Sequence, residues 1–204
     1  VQFFTPVYNT GLRLKTHATV GYAMFFRLVL LIAALYSGSA LATQLKIDAA
    51  KSSVGVIFKQ MGVAVDAKFN KLVAQVEYDP AKPENAKANI EIDVASFDLG
   101  DPDYSSEVRK KEWFHAAQFP KASFTSTKIR ALGAGKLDVT GKLTLKGKST
   151  DLQFPLTVKK EGASQIFEGS VPIKRLMFGI GEGEWKDTSV VADEVVIKFR
   201  IVGQ

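Results

Sequence analysis

The chain has 204 residues, a net charge of +6, no cysteine and two histidines, His17 and His115. Without cysteine, disulfides, thiolate nucleophiles and cysteine-bound metals are excluded, and so few histidines exclude multi-histidine metal sites. No long basic run occurs, so nucleic acid is not an expected partner.

Residues 1–23 show no organised pattern. From Met24 the pattern changes: Met24-Phe25-Phe26-Arg27 brings one positive charge, Leu28 to Tyr36 is apolar, and small residues end at Ala40-Leu41-Ala42. This is the order of a secretory signal peptide, and the apolar run is too short to span a bilayer comfortably. The expectation is a leader over 24–42, cleaved after Ala42, behind a segment 1–23 that is untranslated or unstructured. No stable membrane span is expected after cleavage. Arg13, Lys15 and Arg27 fall in this part with no acid, so residues 43–204 keep half of the net charge. That length suits one domain with its own core.

The rest of the chain alternates. Leu45 to Asp48 opens a short strand. Val54, Val56 and Phe58 alternate through a second, Val63 to Phe69 is extended, and Leu72 to Tyr78 is a further strand ended by Asp79-Pro80. Over Ala88 to Val94, the residues Ile90, Ile92 and Val94 face one side while Asn89, Glu91 and Asp93 face the other. Asp101-Pro102 is a helix-start signal, because Asp caps free backbone N–H groups and Pro suits the first helical position. A short helix is predicted over Ser105 to Glu112, followed by the bulky cluster Trp113, Phe114, Phe119 and Pro120. That cluster reads as a plug for one end of the core or as a lid over a pocket.

Ala122 to Arg130 is a strand of mixed parity. Lys136 to Lys160 gives the clearest pattern in the chain. Leu137, Val139, Leu143 and Leu145 share one face. After the break Gly147 to Thr150, Leu152, Phe154, Leu156 and Val158 share another, which makes an antiparallel hairpin. Gln165 to Lys174 and the closing run Val195, Ile197, Phe199, Ile201 complete roughly eight or nine strands. Short strands separated by turn signals, with no α/β alternation, point to an antiparallel barrel or sandwich.

The ordered motifs resemble the YceI-like, lipid- or polyisoprenoid-binding family. Ile47-Asp48 with Ser52-Ser53-Val54-Gly55 is similar to the family's opening, and Ile92 to Phe97 to its next segment. Glu112-Trp113-Phe114 through Phe119-Pro120 to Phe124 resembles its Phe-rich block. Gly141 to Gly147 is similar to its hairpin motif, and Asp193 to Ile197 to its ending. Gln60-Met61-Gly62 stands where the family often has a histidine before a glycine. The resemblance implies an all-β fold: a single antiparallel eight-stranded lipocalin-like barrel with one short helix and a lid segment. It implies a periplasmic protein with no established catalytic activity and no cofactor. The ligand it implies is an isoprenoid or long-chain amphiphilic lipid. A homodimer stays open.

Candidate wall residues are Phe58, Phe69, Ile90, Ile92, Val94, Phe124, Leu143, Leu145, Phe154, Leu156, Phe167, Val171, Phe178, Ile197 and Phe199, with Trp113, Phe114 and Phe119 from the lid. A barrel of eight strands has room for side chains or for one small ligand, so the same residues fit a solid core and a cavity. Ten phenylalanines follow residue 42, and their rigid rings suit a narrow tunnel as well as a core. His115 has no visible catalytic partner, and a hydrolase acting through it is the alternative reading. Asp98, Asp101 and Asp103 are explained by helix capping rather than by a metal.

Overall fold

The computed structural model describes Gln2 and residues 43–204. The expected leader over 24–42 and, Gln2 apart, the segment 1–23 lie outside the described residues. The strands are β1 (Thr43–Gln44), β2 (Ser53–Gln60), β3 (Val63–Phe69), β4 (Leu72–Tyr78), β5 (Lys87–Asp93), β6 (Phe97–Asp98), β7 (Lys121–Gly133), β8 (Lys136–Leu145), β9 (Lys148–Glu161), β10 (Ser164–Lys174) and β11 (Val191–Gly203). One α-helix, α1 (Pro102–Glu107), lies between β6 and β7. Among the described residues no helix is long and apolar enough to cross a membrane.

Among the described residues all eleven strands join one sheet in the order β1-β4-β5-β7-β8-β9-β10-β11-β2-β3-β6, and every pair is antiparallel. Nine of these strands have seven residues or more, one more than the eight expected, and β1 and β6 are two-residue strands at the two ends of the order. β1 pairs with β4, and the chain then crosses to β11, where Ile47 pairs with Gly203. Lys46 and Gln204 exchange both backbone hydrogen bonds, at 2.7 and 3.0 Å. The strand expected over Leu45 to Asp48 is therefore a bridge between two strands. At the far edge β6 pairs with the end of β3. The sheet curls on itself; β1 covers only the end of β4, and β6 only the end of β3.

The β8–β9 hairpin forms as its alternation predicts. Its two turn residues, Lys146 and Gly147, both have positive φ, 46° and 72°. Such a turn matches the twist of the flanking strands, and glycine takes that backbone at no steric cost. Leu137, Val139, Leu143 and Leu145 are all buried. The mixed parity of β7 has a specific cause. The register with β8 shifts between Ser126 and Lys128, so one extra residue sits in β7. Before the bulge Ala122 and Phe124 point inward; after it Ile129 does. A bulge re-aims every later side chain.

The helix is capped at the expected start signal, but it spans Pro102–Glu107 rather than Ser105 to Glu112. Asp101 accepts from the backbone N–H groups of Asp103 and Tyr104, and Pro102 opens the first turn. The predicted end was Glu112, but the chain leaves the helix at Val108. A continuous helix would send the adjacent Trp113 and Phe114 to different faces. Broken turns bring both against the core instead.

Candidate functional site

The inner faces enclose a cavity of about 660 Å³. That is well above the roughly 300 Å³ at which ligand pockets begin. β2 and β3 contribute Val54, Val56, Phe58, Val65 and Phe69, and β5 and β7 contribute Ile90, Ile92, Ala122, Phe124 and Ile129. The hairpin adds Leu137, Val139, Leu143, Leu145, Leu152, Phe154 and Leu156, and the last strands add Phe167, Val171, Ile173, Val195, Ile197, Phe199 and Ile201. Nearly every one is aliphatic or aromatic. The rings brace one another along the wall: Phe124 and Phe154 lie 5.4 Å apart, and Phe154 and Phe199 5.8 Å. At one end Phe69, Phe97 and Phe114 form a cluster with centroids 4.9 to 6.1 Å apart.

Of the eighteen wall and lid candidates, fifteen line this cavity, including Trp113 and Phe114. Three do not. Val94 is buried, but a 3-10 turn begins there, so its side chain no longer follows the strand's alternation. Phe119 lies over the Gly147 turn and edge-on to His115, outside the lumen. Phe178 is only 1% exposed, yet it fills the core beside a 3-10 turn rather than the cavity wall. Leu137 and Val139 line the cavity and share parity with Leu143 and Leu145, so the argument that found the second pair also reaches the first. Val54, Val56 and Ile201 follow from alternation in the same way.

Two segments cap the lumen. One carries α1 and its following turns, and sets Gly100, Asp101, Tyr104 and Glu107 beside the apolar wall. The other is a strap over residues 175–190, held by Arg175. This side chain is 2% exposed. Its five N–H groups donate to the carbonyl oxygens of Ala192, Ile180, Gly181, Trp185 and Val191, at 2.7 to 3.1 Å. Burial pulls the guanidinium down from arginine's usual range, and Asp193 partly offsets this. The strap is tied at two further points. Lys146 donates to the Gly179 carbonyl, and the N–H groups of Gly181 and Glu182 both donate to the Glu112 carbonyl. Charge gave no hint of an inward Arg175; its parity with Val171 and Ile173 did.

The chemistry-bearing residues stay apart. His115 packs edge-on against Phe119 at 5.8 Å, and no carboxylate hydrogen-bonds its ring among the described residues. Asp101 caps α1, and Asp98 accepts from Asn70 and from the Gly100 N–H. The Gly100 bond, then the Asn70 bond, hold the Asp98 carboxyl below the usual range. What the arrangement offers is volume lined by hydrocarbon, where each buried CH₂ is worth about 0.8 kcal/mol.

Comparison with known proteins gives a consistent match. A family model described as YceI-like domain matches residues 45–203. A UPF0312 protein of Pseudomonas savastanoi pv. phaseolicola is 31% identical over 133 residues, which cover 64% of this chain and 69% of that one. The crystal structure of Burkholderia cenocepacia BcnA is 51% identical, with a TM-score of 0.76 over 78% of this chain and 100% of that chain. A polyisoprenoid binding domain from Saccharophagus degradans shares the fold at 19% identity, with a TM-score of 0.62 over 80% of this chain and 98% of that domain.

Proposed function

The chain belongs to the YceI-like domain family, and on that premise we propose that it is a binding protein that holds an isoprenoid or other long-chain lipid in its lumen. The observation that carries this reading is the 660 Å³ cavity, walled almost entirely by aliphatic and aromatic side chains. Water in such a space has few partners, so an alkyl chain that replaces it gains the full transfer term. The polyisoprenoid binding of the Saccharophagus domain supports the same class of ligand. Selectivity is for a lipid class, because one methylene changes affinity little. The place of action is the periplasm, reached through a leader ending at Ala42, and the role there is transport or storage.

Binding rather than catalysis is favoured by the isolation of His115, which has no hydrogen-bonded carboxylate among the described residues. A solid barrel is disfavoured by the volume of the lumen. The test is an equilibrium titration with a long-chain fluorophore that brightens in apolar surroundings, displaced by geranylgeraniol. Saturable binding is expected, and Leu156→Trp, which fills the lumen, weakens it at least about tenfold. Overpacking of this kind costs about 1–3 kcal/mol of stability, so the variant is checked for folding by circular dichroism. No saturable binding by the wild-type protein would sink the proposal.

A further inference from the structure

One stretch of sheet edge is left without a neighbour. β3 pairs with β2 along its whole length, but on its other side β6 covers only Lys68 and Phe69. The two-residue turn Met61-Gly62, with φ of 49° and 82°, makes Gln60 and Val63 the first hydrogen-bonded pair of the β2–β3 hairpin. Every second residue then bonds to β2: Val63, Val65, Ala67 and Phe69. Ala64, Asp66 and Lys68 turn their backbone groups the other way. Lys68 is covered by Asp98 of β6. Ala64 and Asp66 have no backbone partner on that side among the described residues, and both are exposed.

Such an edge accepts a further strand, and natural sheets guard against this with proline, a bulge or inward charge. Residues 63–67 carry no proline and no bulge, and Asp66 is their one charge. A second copy of β3 fits the edge. Let two copies run antiparallel about a two-fold axis through Val65. Ala64 then stands opposite the partner's Asp66, and Asp66 opposite the partner's Ala64. Both are hydrogen-bonded positions, so four bonds form and every free group on the two edges is used. An axis through Asp66 would use half of them and set two carboxylates face to face.

The side chains agree with the Val65 register. On the outer face Lys59 lies beside Ala64, so one row across the seam reads Lys59, Ala64, the partner's Asp66. Two strand spacings separate the charges, about 10 Å between Cα atoms. Only the methyl of Ala64 lies between, and the long lysine stem reaches over it. Symmetry gives two such pairs. In the single chain Lys59 and Asp66 are exposed and belong to none of the ion pairs among the described residues. On the inner face Val63, 67% exposed, comes opposite the partner's Ala67. Val65 lines the lumen and meets the partner's Val65, so each copy completes the rim of the other's cavity. We propose that β3 of one copy adds to β3 of a second, joining two barrels edge to edge through Ala64 and Asp66 with Val65 on the axis.

Sedimentation velocity of the purified protein over a concentration series reads the assembly directly, and the mass of two chains is expected at the upper end. Lys59→Asp and Asp66→Lys each put like charges in both rows, and each weakens association at least about tenfold. Circular dichroism checks that both variants fold. Mixed in equal amounts they associate as the wild type does, because each then meets the opposite charge in both rows. A second measurement needs no substitution. Hydrogen exchange at the Ala64 and Asp66 amides slows as the concentration rises, since both N–H groups enter the seam. A single-chain mass at every concentration, a dimer indifferent to both substitutions, a mixture no tighter than its components, or exchange at these amides independent of concentration would overturn the inference. The carrier reading stands or falls separately, on the fluorophore titration.

Discussion

The ring of Phe124 lies so close over Gly141 that a Cβ at position 141 would stand 2.4 Å from Phe124 Cζ. Gly169 has the same relation to Phe199, at 2.6 Å. All four residues are on inner faces. A glycine on a curved wall lets the neighbouring ring lie flat against the sheet instead of projecting across the lumen. The cavity stays open partly because two of its largest side chains are parked on backbone.

The two glycines are expected to fail differently. At Gly141 the new methyl also meets the Thr125 carbonyl at 2.6 Å, and backbone cannot move aside. Gly141→Ala should cost about 1–3 kcal/mol in urea denaturation. At Gly169 the close atoms are the far end of the Phe199 ring, with Leu156 Cβ at 3.3 Å. That ring can swing inward. Gly169→Ala should lose less stability than Gly141→Ala and more affinity for a long-chain fluorophore. Equal stability losses with unchanged binding in both would contradict this account of the open lumen.

Arg175 makes a second prediction. Lysine has three donors and no planar fork, so Arg175→Lys leaves at least two of the five carbonyls bare. Each buried carbonyl left without a donor costs about 1–3 kcal/mol. The substitution should destabilise the fold by about 2 kcal/mol or more. Hydrogen exchange should localise the damage, with protection lost first at Gly181 and Glu182, whose N–H groups bond to Glu112. Unchanged protection there would show that the strap is held without Arg175.

Acid should weaken the protein through Asp138. On the outer face of β8, its carboxylate accepts from Arg130 and, at 2.7 Å, from Gln153. The Arg130 bond first, and the Gln153 bond second, hold the carboxyl below the usual carboxylate range. A carboxyl with a lowered folded-state pKa contributes stability that is complete above the unfolded value, about 3.9, and is lost as pH falls through the folded value. Asp138→Asn should therefore be less stable than wild type at neutral pH, and the two should converge as pH falls through the folded value. Parallel curves across that range in pH-dependent urea titrations would remove Asp138 from the account.

Much of this was legible in the residues. Alternation over Lys136 to Lys160 gave the hairpin, its dry face and its part of the lumen wall, because strand periodicity maps directly onto inside and outside. Asp101-Pro102 gave the start of α1. Pattern failed where the backbone leaves strand geometry. The bulge in β7 inverts parity at a point no local residue announces. Val94 stands one position past the end of β5. The two-residue strands depend on pairing between residues far apart in sequence, as in Ile47 with Gly203. Arg175 was hidden for another reason: charged residues almost never point inward, and only the distant carbonyls that receive it make its burial tolerable.

The central claim, that the lumen is a seat for a long-chain lipid, is tested most directly by native mass spectrometry of the purified protein. The spectrum should show the polypeptide with one amphiphile bound, released by organic solvent, and replaced by geranylgeraniol after delipidation and incubation. A spectrum of bare polypeptide both before and after incubation would contradict it.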